Sequence, residues 1–154
     1  MNSKFIFICG TGRSGTHFIG RTIASHPNIE GRIEDPNTFR LITKLASTKD
    51  YNSKLENYFL EMLLFRRLKR VVKLSDYEFV LEKSHPSIWL AEEISKKFKN
   101  SLFIGVYRDL EPTVASMLRH KGVLSWYDSL PSNKVNRFLG ITPDNIENFH
   151  SLSI

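Results

Sequence analysis

The sequence holds one cysteine, Cys9, in 154 residues. A single thiol excludes an internal disulfide framework and a cysteine-rich zinc site. It makes a reducing cytoplasm the expected compartment. Long apolar runs are missing too. The strongest, Phe5-Ile6-Phe7-Ile8-Cys9, is far shorter than the ~20 residues of a membrane-spanning helix. It starts at residue 5 behind one lysine and leads into Gly-Thr-Gly-Arg, a poor match to a secretory h-region. There are no internal repeats, no low-complexity tract and no long linker, so residues 1–154 read as a single domain. Composition excludes a disordered chain: 41% of residues are apolar and 25% charged, which is ordinary globular usage.

What the sequence has in excess is positive charge. Lys plus Arg number 22 against 16 Asp plus Glu, a net charge of +6. That balance favours anionic partners: nucleic acid, anionic lipid or a phosphorylated small molecule. The densest cluster, Arg66-Arg67-Leu68-Lys69-Arg70, reads as a solvated helix face. No RNA-binding aromatic motif or DNA-reading signature accompanies it. No nucleic-acid partner and no membrane partner is therefore expected, which leaves the phosphorylated small molecule.

Periodicity gives alternating strands and helices. Residues 4–9 read as a buried strand closed by glycine. Residues 14–25 carry apolar side chains at helical spacing, and the pair His26-Pro27 ends that helix. Residues 27–37 read as a loop that can hold a short strand at 29–33, and residues 37–46 as helix. Residues 55–73 form a long amphipathic pattern. Residues 78–82 read as a short strand and 86–99 as a helix with Pro86 in its first turn. Residues 101–107 read as the best strand of the chain, and 111–121 as a helix with Val114, Met117 and Leu118 inward. Beyond Gly122 the pattern weakens. This alternation predicts an α/β fold: a three-layer, P-loop-type parallel sheet flanked by helices. Three strands are clear, against about 4–6 in a typical sheet. The expectation is that a C-terminal portion completes the domain, or that partner elements come from elsewhere, a homo-oligomer being one source.

Gly10-Thr11-Gly12-Arg13-Ser14-Gly15-Thr16-His17 follows the first strand and opens the first helix. In that place backbone N–H groups can surround an oxyanion, and the helix N-terminus adds about half a positive charge. Three readings compete. Gly10, Gly12 and Gly15 fit the dinucleotide spacing G-x-G-x-x-G, with Glu30 or Glu34 at the distance of a ribose-binding carboxylate. Gly10 and Gly15 also fit the nucleoside-triphosphate loop, but Thr16 stands where its lysine belongs, which argues against an ordinary kinase or GTPase. The third reading keeps the cradle and lets Arg13 supply the cation.

Other strand ends add to it. In open parallel sheets ligands bind at the carboxyl ends of strands. Lys83 follows the strand at 78–82, and Arg108 follows the one at 101–107. Ser116 lies eight residues after Arg108, in the next helix, where the two can clamp a second phosphate.

These stretches resemble the sulfotransferases that use 3′-phosphoadenosine 5′-phosphosulfate (PAPS). The loop at 10–17 looks like that family's 5′-phosphosulfate loop. Val106-Tyr107-Arg108-Asp109-Leu110-Glu111-Pro112-Thr113-Val114-Ala115-Ser116 looks like its 3′-phosphate motif, with the Arg-to-Ser spacing intact. The tyrosylprotein sulfotransferases and their bacterial relatives are the most similar branch. They share the His26-Pro27 pair, an acidic residue at Glu34 and a lysine shortly before a proline, as in Lys83-Ser84-His85-Pro86. The resemblance spans residues 3–125. It departs at His17, where the family has a second threonine, and at Ile33-Glu34-Asp35, where the tyrosine enzymes have Glu-Glu-Thr. The further C-terminal region that contacts the nucleotide in the family is not evident here.

The resemblance implies sulfuryl transfer from PAPS to a hydroxyl acceptor by in-line displacement, without a metal, leaving 3′-phosphoadenosine 5′-phosphate. The acceptor would be a small molecule, a sugar or a tyrosine side chain. It assigns Gly12, Arg13, Ser14, Gly15, Thr16 and His17 to the 5′-phosphosulfate, and Arg108 and Ser116 to the 3′-phosphate. Lys83 and Arg13 would stabilise the charge that develops on transfer. Glu34 is the candidate general base, with Glu30 as fallback and His17, His26 and His85 as competitors. Cys9 and Trp89 read as core, and Trp126-Tyr127 as pocket lining or packing. The alternatives are a non-catalytic module binding PAPS or another phosphonucleotide, and a P-loop nucleotide kinase-like protein.

Overall fold

The computed structural model describes residues 3–136 and 138–152. Four strands form one all-parallel sheet in the order β2-β3-β1-β4. β1 (Lys4–Cys9) lies centrally, paired with β3 (Phe79–Lys83) on one side and β4 (Leu102–Gly105) on the other. β2 (Ile29–Ile33) is the outer strand beside β3. The strand expected at 29–33 is thus present, and brings the sheet to the low end of the usual size.

The central strands are apolar on both faces, as a sheet covered on both sides requires. Phe5, Phe7, Cys9 and Val80 face a core with α2 (Pro36–Thr48), α3 (Lys54–Leu74) and α4 (Ala91–Lys97). Ile6, Ile8 and Leu81 face the other way, with Ile23 of α1 (Thr16–Ala24) packed against them. Helix starts follow local chemistry. The Asp35 carboxylate accepts the Thr38 N–H at 3.0 Å and Pro36 opens α2, and Ser53 and Glu56 form a reciprocal capping box for α3. Each such cap contributes about 1 kcal/mol.

Three expectations are corrected. Residues 101–107 do not form the best strand: β4 is four residues long, sits at the sheet edge, and leaves Leu102 and Phe103 exposed. Its apolar sequence reads strongly because pattern alone cannot tell a covered strand from an uncovered one. The helix expected at 86–99 is split into a 3₁₀ segment, His85–Leu90, followed by α4. The helix expected at 111–121 ends as α5 (Leu110–Leu118), and α6 (Lys121–Asp128) continues the chain where no clear element was expected. Nor are the apolar positions of α5 buried: Thr113 is its only buried residue, while Val114 and Leu118 are exposed.

The described residues from 129 to 152 make turns, one isolated bridge between Asn136 and Ile141, and a final 3₁₀ turn at Phe149–Leu152. Among the described residues no helix is long and apolar enough to cross a membrane.

Candidate functional site

Because all four strands are parallel, their carboxyl ends share one edge, where open α/β sheets place ligands. The segments leaving that edge are the loop at 10–15 after β1, Glu34 after β2, Lys83 closing β3 and Arg108 beyond β4.

The loop is held open by two left-handed residues. Arg13 has φ 68° and Gly15 has φ 97°. Gly15 caps α1 without a side-chain bond, and only glycine occupies that region without steric cost. Ser14, buried, donates from Oγ to the Thr11 carbonyl at 2.7 Å. Its hydroxyl therefore closes the loop from inside. Arg13 is fixed from both ends: Nε donates to Ser116 Oγ at 3.1 Å, and an Arg108 guanidinium N–H donates to the Arg13 carbonyl at 3.2 Å. Residues 13, 108 and 116, far apart in sequence, thus meet at one side of the loop.

On the other side lies a cluster of four ionisable groups. Lys83 is 1% exposed, and its Nζ donates to Glu34 Oε1 at 2.5 Å and to His17 Nδ1 at 2.9 Å. His85 Nδ1 lies 3.3 Å from Glu34 Oε1, and His17 Nε2 lies 3.6 Å from Glu34 Oε2. Gly20 of α1 lies against the lysine stem: a Cβ there would make ordinary van der Waals contact with Lys83 Cγ, at 3.4 Å. Glu34 itself is left-handed at φ 52°, with its N–H donating to the Lys83 carbonyl at 2.8 Å. A non-glycine residue in this region is strained by about 1–3 kcal/mol, and such residues concentrate at functional sites.

The electrostatics follow from this packing. Burial pushes the Glu34 carboxyl up, but hydrogen bonds from His85 and Lys83 and the lysine charge outweigh it and bring the carboxyl down to about 2. Burial lowers Lys83 from its ordinary 10.5, against the opposing pull of Glu34. Burial and the Lys83 charge likewise lower His17 from 6.5. An ammonium can only donate, so His17 Nδ1 is the acceptor and the proton of the neutral ring sits on Nε2, facing Glu34.

Above this cluster is a cavity of about 340 Å³. Its polar floor includes Gly12, Arg13, Thr16, His17, Glu34, Lys83 and His85, and its wall is apolar. Six of the ten residues assigned to the site from sequence line it: Gly12, Arg13, Thr16, His17, Glu34 and Lys83. Ser14, Gly15, Arg108 and Ser116 stand behind it, shaping or bracing the loop. Glu30 is paired with Arg32 at 2.6 Å, and His26 accepts the Asn28 N–H at the end of α1; neither lines the cavity. Trp89 is not core: it is 39% exposed and forms part of the wall. Cys9 is buried against Ser87, as expected of a core thiol.

The wall residues Ile88, Met117, Val123 and Phe138 carried no functional signal in the sequence. They come from four separate segments, and only Trp126-Tyr127, adjacent aromatics beyond the last strong helix pattern, hinted at a lining. No protein-family model matches this chain, and no curated protein matches it.

Proposed function

We propose that the chain is a PAPS-dependent sulfotransferase with the sulfotransferase-like variant of the parallel α/β fold. The observation that carries this reading is the Lys83–Glu34 contact at 2.5 Å, beside a left-handed loop braced by Arg108 and Ser116. A buried cation, a carboxylate and an anion cradle converge on one cavity, as transfer of an anionic group from one oxygen to another requires.

The residues present suit the donor. The 10–15 loop offers backbone N–H groups and the start of α1 to the 5′-phosphosulfate, with Arg13 as the forked cation and Thr16 lining the cavity. Arg108 and Ser116 lie beside Arg13, where they would take the 3′-phosphate. When bound, the donor supplies a sulfuryl group already activated by its phosphate leaving group. Everything else falls to side chains.

Glu34 accepts the proton of the acceptor hydroxyl as the new oxygen–sulfur bond forms. Lys83 turns from Glu34 to the bridging oxygen, which keeps the electron pair of the breaking sulfur–oxygen bond. One preorganised donor of this kind is worth about 3–4 kcal/mol of barrier. The two steps are coupled. A carboxylate with a pKa near 2 is a weak base at neutral pH. Withdrawal of the lysine removes one of the groups that hold it there, leaving the His85 bond, so Glu34 gains basicity as Lys83 engages the leaving group.

The test is calorimetric titration with 3′-phosphoadenosine 5′-phosphate, against AMP, on wild type and Arg108→Ala. The expected result is metal-independent binding that exceeds AMP and collapses in the variant. Equal binding of the two nucleotides to a folded chain would refute the donor assignment. Transfer of labelled sulfuryl to a hydroxyl compound then separates an enzyme from a binding module.

A further inference from the structure

We propose that the cavity over Glu34 takes a small, uncharged apolar alcohol or phenol, and that this class of compound, rather than a sugar or an acidic peptide, is the acceptor. The inference rests on the sulfuryl-transfer reading and names the substrate of that same site.

The cavity has two unlike halves. Its floor presents Glu34, Lys83, His17 and His85, enough to orient one hydroxyl and receive its proton. Its wall is built from Ile88, Trp89, Met117, Val123, Trp126 and Phe138. Phe138 sits between the two tryptophans, edge-on to both, with ring centroids 5.2 Å from Trp89 and 5.1 Å from Trp126. Such a trio is a rigid apolar surface. α6 has no buried residue of its own, and its Val123, Trp126 and Tyr127 line this cavity.

That wall discriminates by desolvation. A sugar would bring several hydroxyls out of water against side chains that return few hydrogen bonds, and each unsatisfied group is costly. An acidic peptide would need cations, and the two that line the cavity, Arg13 and Lys83, are both assigned to the donor. His120 at the rim is also used, since its Nδ1 accepts the Val123 N–H that caps α6. A volume of about 340 Å³ lies at the small end of ligand pockets, roughly 300–1,000 Å³, and fits a compound of one or two rings. Its hydroxyl oxygen bonds to sulfur, its proton passes to Glu34, and the departing phosphate oxygen takes the electron pair of the broken bond.

The experiment is calorimetric titration of the full chain with 4-propylphenol, glucose and an acidic peptide containing one tyrosine. Each is run with and without saturating 3′-phosphoadenosine 5′-phosphate. Trp126→Ala and Val123→Asp are compared with wild type after circular dichroism confirms their fold. The phenol is expected to bind at least about tenfold more tightly than glucose or the peptide. Trp126→Ala should weaken it by about tenfold. Val123→Asp should abolish it. Glucose or peptide binding as tightly as the phenol, or phenol binding untouched by both variants, overturns the proposal. Failure of the nucleotide to bind while the phenol still depends on Trp126 overturns the donor reading and leaves the apolar cavity assigned.

Discussion

Lys83 meets Glu34 twice: its Nζ lies 2.5 Å from the Glu34 carboxylate, and its backbone carbonyl accepts the Glu34 N–H at 2.8 Å. The backbone bond locks the two strand ends together, while the side-chain bond sits at the cavity and can open. Lys83→Met separates these roles, because it keeps the stem and the backbone bond and deletes the charge. The Glu34 carboxyl, held near 2, should then titrate upward toward its ordinary range, read by carbon-detected NMR. Sulfuryl transfer should fall by about 10²–10³-fold, with nucleotide affinity reduced less. An unmoved Glu34 titration would show that the lysine does not set its charge.

His17 reports on the same contact from the other side. Burial and Lys83 lower its pKa from 6.5, so at neutral pH the ring is uncharged and Nδ1 is free to accept from the ammonium. Acid protonates Nδ1 and sets two cations face to face. A group with a depressed folded-state pKa stabilises the fold above its unfolded value, and that contribution is lost as pH falls through the folded value. The imidazole titration, followed by proton NMR, should have a midpoint below 6.5 in wild type. In Lys83→Met it should move up, because one of the lowering causes, the Lys83 charge, is gone.

Glu82 points to the opposite face of β3. It is 1% exposed, and the Ser84 hydroxyl donates to it at 2.5 Å. Burial, with Asp35 adding to it and Ser84, Arg32 and Arg67 opposing, raises its carboxyl to about 7. A raised carboxyl stabilises below the unfolded pKa of 4.5 and loses that contribution as pH climbs to about 7. The loss is on the order of 3 kcal/mol by the usual conversion. Denaturant unfolding should therefore show wild type losing stability relative to Glu82→Gln between pH 5 and pH 8, since the amide keeps an acceptor for Ser84 and cannot ionise. Parallel pH curves for the two proteins would contradict a neutral buried Glu82.

Much of the frame was legible because it is local. β1, the glycine loop and the start of α1 are adjacent in sequence, and the strand-end cations follow from the parallel arrangement alone. The failures share a cause as well. Val114 and Leu118 read as inward by pattern, and Leu102 and Phe103 as part of the best strand, yet burial depends on what covers them, which no local pattern encodes. The cluster of His17, Glu34, Lys83 and His85 joins three separate segments through side chains. Sequence identified its members one by one, without revealing that Glu34 is tied to Lys83 rather than to nearby Arg32. The left-handed turn at Glu34 gave no signal, because glycine, its usual marker, is not there. The cavity wall was hidden for the same reason as the cluster: its aromatic trio comes from residues 89, 126 and 138.

Arg13 combines backbone strain with the charge proposed to hold the donor. At φ 68° its backbone adopts a conformation that costs a non-glycine residue about 1–2 kcal/mol. Its guanidinium, held by Ser116 at 3.1 Å, is the cation assigned to the donor. Arg13→Gly relieves the backbone and keeps the carbonyl that accepts from Arg108, but removes the guanidinium. Arg13→Ala removes the guanidinium and keeps the strain. Both variants should lose affinity for 3′-phosphoadenosine 5′-phosphate to a similar degree, since the missing charge is the same. Their thermal stabilities should differ, with the glycine variant the more stable by about 1 kcal/mol. If the alanine variant is the more stable, the loop does not hold residue 13 in the left-handed region in solution. If both variants bind the nucleotide as wild type does, Arg13 serves the loop and not the ligand, and the cation of the cradle must be Arg108 alone.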